Sequence, residues 1–98
     1  MTQSAHAYRI TLEQASHKND ETPTHPPLQF EFENHDDIFS IIERMKQKNI
    51  FNNDNQSTEF ALGLKLFSEV ILKNKHHPLF EEIYPAIGSF MKKLKSPT

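Results

Sequence analysis

The chain has 98 residues, a net charge of −2 and no cysteine. That length suits one domain with a modest core, and the missing thiols exclude disulfides, thiolate metal sites and cysteine nucleophiles. Charge is divided along the chain: residues 1–45 carry −5 and residues 46–98 carry +3. An acidic end therefore stands against a basic one, each a solvated surface able to attract an oppositely charged partner. The opening MTQSAHAYRI has neither the basic segment nor the apolar run of a signal peptide, and no run reaches membrane-spanning length. The expectation is a soluble cytoplasmic protein with no membrane segment.

Residues 5–13 contain the first regular element. Tyr8, Ile10 and Leu12 alternate with Arg9, Thr11 and Glu13, the period of a half-buried strand. Residues 28–33 repeat the pattern, with Leu28, Phe30 and Phe32 on one face and Gln29, Glu31 and Glu33 on the other. Antiparallel pairing of Leu12 with Leu28 sets Ile10 against Phe30, Tyr8 against Phe32, and Arg9 against Glu31 on the wet face. Every cross-strand pair is then chemically compatible, so the spacing predicts a hairpin. Its connection, 14–27, is polar, proline-rich and long for a hairpin, and reads as a mobile loop.

From Asn34 onward the apolar period lengthens to that of a helix. A first helix is predicted over 35–48, with Asn34 and Asp37 at capping-box spacing and Ile38, Ile41, Ile42 and Met45 as its apolar stripe. A turn follows, in which Ile50 and Phe51 pin the connection to the core. The second helix, 56–75, contains EFALGLKLFSEVIL, the most apolar run in the chain. Phe60, Leu64, Phe67 and Ile71 form its main stripe, while Leu62 and Leu66 fall on nearly the opposite side, which places this helix between two layers. Gly63 lies within the stripe, where a missing Cβ lets another backbone come close. A third helix is predicted over 78–95, opened by Pro78 and bent at Pro85, with Glu81 and Glu82 at its start and Lys92, Lys93 and Lys95 at its end suiting the dipole. The fold class is α+β: an N-terminal antiparallel hairpin followed by three helices, the central one most buried. Roughly twenty apolar side chains make up the expected core.

Chemistry is harder to find. His35, Asp36 and Asp37 are adjacent, so on a helix they diverge by about 100° each and cannot converge on one ion; they stand where caps belong. His76, His77 and Glu81 are the weak metal candidates, since His77 and Glu81 at i, i+4 share a helical face, but a third ligand is missing. A histidine at a helix end also has a structural use against the last carbonyls. No serine sits in a nucleophile elbow, and the glycines at 63 and 88 cannot form a dinucleotide or phosphate loop. The sequence therefore implies no catalytic residue, no resident metal and no cofactor. Lysines 65, 73, 75, 92, 93 and 95 form a basic group, but arginine is scarce and the neighbouring Phe67 and Phe90 are assigned to the core, so nucleic acid is not the expected partner.

The segments YRITLE, FEFENHDDIFSIIERM, FALGLKLFSEVILKN and PLFEEIYPAIGSFMKKLKS resemble those of a small family of bacterial proteins recorded only as a domain of unknown function. The resemblance covers nearly the whole chain apart from 14–27 and the extreme termini. It implies one compact α+β domain of bacterial, cytoplasmic origin, and carries over no catalytic residue. The function expected from the residues is a small interaction or regulatory module without catalytic activity. The alternative is a domain that binds a small ligand or anion, with weak hydrolytic activity. Glu31 and Glu33 guard the second strand against self-pairing, whereas the first is guarded only by Arg9. The edge bearing Ala7, Arg9 and Thr11 is thus the expected docking edge, either for a partner's extended segment or for a second copy in a homodimer.

Overall fold

The computed structural model describes residues 5–15 and 25–96; residues 16–24, the middle of the predicted loop, lie outside the described residues. The chain divides into two compact units, Met1–Asp37 and Ile38–Thr98.

The first unit is an antiparallel pair, β1 (His6–Leu12) and β2 (Leu28–Asn34). Its register is the one expected: Leu12 opposite Leu28, Ile10 opposite Phe30, Arg9 opposite Glu31 and Tyr8 opposite Phe32. Alternation fixes this register, because a slip of one residue would turn every apolar side chain to the wrong face. Tyr8 stacks on Phe32 with ring centroids 5.5 Å apart. The Tyr8 hydroxyl also donates to the Asp36 carbonyl at 3.0 Å. Asn34 is buried, and its Oδ1 accepts from the Asp36 amide at 3.0 Å. That Asx turn gives the backbone an alternative to helix. The first helix consequently starts at Ile38 rather than at residue 35.

The second unit contains α1 (Ile38–Lys48), α2 (Asp54–Lys73) and α3 (Ile83–Lys95). Asn49 ends α1 at φ 53°, its amide donating to the carbonyls of Met45 and Lys46. Asparagine tolerates this left-handed conformation and closes helices there. Asn53 then caps α2, its side chain accepting from the Gln56 amide at 2.8 Å. With its cap at Asn53, α2 begins at Asp54 instead of residue 56. Phe51 does pin the connection, meeting Phe60 edge-on at 5.2 Å, whereas Ile50 is exposed.

A third helix running unbroken from residue 78 does not form. Pro78–Phe80 is a separate 3₁₀ turn, and α3 starts at Ile83. Pro85 explains the break: in a continuous helix its ring would collide with the carbonyl of Glu81. Starting at Ile83 places it in the first turn, where no amide donor is needed.

Among the described residues the fully buried apolar side chains are Ile38, Met45, Ala61 and Ile71, a smaller core than the twenty expected. α2 carries more buried residues than either neighbour, with Ser57, Ala61, Lys65 and Ile71. Its buried face is nevertheless rotated from the stripe of large apolar residues. Ile71 is 1% exposed but Phe67 is 49% exposed. Small side chains at 57 and 61 allow close packing, and Lys65 can bury its methylene stem. Nor does another element approach Gly63 among the described residues: a Cβ built there would have no neighbour within 4 Å outside its own helix backbone. Phe90, Phe30, Leu12 and Leu28 are also exposed, since two strands or one loosely packed helix cannot cover their own apolar faces.

Two outcomes follow for stability in dilute solution, measured by urea denaturation. Ile71→Ala should cost about 3 kcal/mol and Phe67→Ala less than about half of that; equal losses would place Phe67 in the core after all. Asn53→Ala should cost about 1 kcal/mol while Asn53→Ser retains most of the stability, as expected where a side-chain oxygen satisfies a helix amide.

Candidate functional site

β1 has β2 on one side and no further strand among the described residues on the other. The side chains that could obstruct its outer edge are drawn inward. Arg9 makes an ion pair with Glu31 at 2.7 Å, and Gln29 Nε2 donates to Thr11 Oγ1 at 2.8 Å. An exposed pair of this kind adds little to stability. Its effect here is positional, because the Arg9 guanidinium leans over β2 instead of guarding the edge. Ala7 is small and exposed.

A groove of about 600 Å³ lies at the end of the hairpin where Leu12 faces Leu28, with Glu13, Gln14, His25, Pro26 and Pro27 completing its walls. The His25 amide donates to Gln14 Oε1 at 3.4 Å. The lining is mainly apolar and brings no set of cations together, so its chemistry suits a hydrocarbon side chain better than an anion. The adjoining prolines before a strand are the sequence signal that could have revealed it.

Of the histidine candidates, His77 serves the backbone. His77 Nδ1 accepts from the Leu79 amide at 3.0 Å, capping the 3₁₀ turn, and its ring lies 6.0 Å from that of Phe80. Glu81 closes the same turn through its own amide, and His76 is exposed. Among the described residues no three His, Asp or Glu side chains are grouped to hold a metal ion. His35, Asp36 and Asp37 occupy the bend between β2 and α1. Of the basic group, Lys65 is buried, Lys75 lies 6.0 Å from the centre of the Tyr84 ring, and Lys92, Lys93 and Lys95 end α3.

α2 presents a second unobstructed surface, absent from the sequence reading because its large side chains pass for core. Phe67 and Val70 are about half exposed, and Gly63 beside them is open. No helix among the described residues is long and apolar enough to cross a membrane.

No curated protein matches the chain. A crystal structure of a protein of unknown function from Pectobacterium atrosepticum is similar to it, with 35% sequence identity, a TM-score of 0.77, and coverage of 93% of this chain and 97% of that one. The model of the DUF3861 family, described as a domain of unknown function with a solved structure, matches residues 6–96. Matched over nearly its whole length, the chain belongs to the DUF3861 family.

Proposed function

We propose that this chain is a non-catalytic protein-interaction module of the bacterial cytoplasm, and that β1 receives an extended segment of another protein. The bacterial setting is supported by the similar protein from Pectobacterium atrosepticum, and the cytoplasm is the compartment that the family resemblance implies. One observation carries the reading: among the described residues no strand pairs with the outer edge of β1, and its cationic guard, Arg9, is held on Glu31.

An added strand gains affinity from backbone hydrogen bonds and selectivity from pockets for alternate side chains. The amides and carbonyls along Ala7–Leu12 that point away from β2 supply the first. The groove at Leu12 and Leu28, at the end of the same strand, supplies the second by taking an apolar residue of the incoming segment. Two-fold self-pairing of β1 is the other use of this edge, but it would bring Arg9 close to its own copy, a like-charge approach that a foreign segment avoids.

Amide exchange on residues 7–12 tests this reading. In the chain alone, alternate amides should exchange rapidly, those pointing away from β2. A partner captured from the native cell and identified by mass spectrometry should slow this rapid set. Slow exchange at every position in the unliganded chain would mean the edge is already occupied, and would overturn the reading.

A further inference from the structure

We propose that the outer face of α2 docks against α2 of a second copy of this chain, antiparallel about a two-fold axis. This surface is independent of the β1 edge. On a helical wheel Gly63, Phe67 and Val70 fall within an arc of about 60°. All three are exposed, and among the described residues no other element comes within 4 Å of a Cβ built at Gly63. A mid-helix glycine costs about 1 kcal/mol relative to alanine, and nothing described within the unit uses its missing side chain.

The spacing along the helix is self-complementary. Take the midpoint between Leu66 and Phe67 as the axis. At 1.5 Å per residue, Gly63 and Val70 lie about 5 Å to either side of it. Antiparallel docking then sets Gly63 of each copy opposite Val70 of the other. Phe67, near the axis, leans toward its own Gly63, as helical side chains point to the N-terminus. The apolar contact is thus small against branched, with an aromatic ring on each side of the axis.

Charge follows the same symmetry. Glu59 lies about 11 Å from the axis in one direction and Lys73 about 10 Å in the other, on the same flank of the apolar stripe. A two-fold axis perpendicular to the pair keeps that flank in place, so Glu59 of each copy meets Lys73 of the other. Both are exposed, and neither belongs to the Arg9–Glu31 or the Lys46–Glu43 ion pair. Within one chain they are fourteen positions apart, roughly 21 Å, too far to touch. This complementarity favours a second copy over an unrelated helix, which would need the same charges by coincidence.

Sedimentation equilibrium across the micromolar range provides the test. The unmodified chain should show a monomer–dimer equilibrium weakened by salt. Glu59→Lys and Lys73→Glu should each weaken it about tenfold, because symmetry converts two attractive contacts into repulsive ones. The double variant should restore it. Since these residues cannot meet within one chain, restoration must come from contact between copies. Gly63→Gln should abolish the dimer while leaving thermal unfolding of the monomer unchanged or slightly raised, glutamine being the better helix former. A strictly monomeric chain, a dimer indifferent to Gly63→Gln, or a double variant no tighter than the single ones would each overturn the proposal.

Discussion

The helical unit depends on a short run of edge-to-face aromatic contacts. Phe51 in the α1–α2 link meets Phe60 at 5.2 Å, and Phe60 meets Phe90 of α3 at 6.3 Å. α2 packs mainly on α1 and touches α3 at few points, and Phe60 joins the α1–α2 link to the third helix. Such ring pairs are worth about 0.5–1.5 kcal/mol beyond the area they bury. A second tie acts at the C-terminal end of α3, where Lys48 Nζ donates to the Ser96 carbonyl at 3.1 Å. With no residue of α3 fully buried, its position rests on these few contacts and its half-buried apolar stripe.

In the hairpin unit a polar device has the corresponding role. Tyr8 contributes its ring to Phe32 and its hydroxyl to the Asp36 carbonyl, while Asn34 holds the Asp36 amide. The same aspartate backbone is therefore gripped from β1 and from the end of β2. This explains why His35, Asp36 and Asp37, which look chemical in a sequence, are occupied with direction of the chain.

The hairpin was legible down to its register, because period-two patterning and matched cross-strand pairs admit one solution. The number and order of the α-helices were also legible from apolar periodicity, although Pro78 opens a separate 3₁₀ turn and not α3. The rotation of α2 was not. Hydropathy points to Phe60, Leu64, Phe67 and Ile71, but Ser57 and Ala61 are buried because they are small, a property that leaves no mark on an apolar pattern. Lys65 misleads in the opposite sense, being charged and yet 8% exposed. Of the candidate surfaces, the β1 edge could be read from its charges. The self-complementarity of α2 could not, since it requires knowing that Phe67 and Val70 face outward.

The link between α1 and α2 carries a consequence of another kind. Asn49 and Asn52 both adopt left-handed backbone, Asn52 donates its amide back to Asn49, and Asn53 caps the next helix. Each asparagine is tied to a fixed offset from its neighbours, and Phe51 must reach Phe60 from between them. The segment behaves as a ruler: one residue more or less would misplace the cap and the ring together. Evolution can exchange side chains here, with glycine the natural substitute at the two left-handed positions, but it cannot readily change the count. Length differences between members of the family should accordingly accumulate elsewhere in the chain.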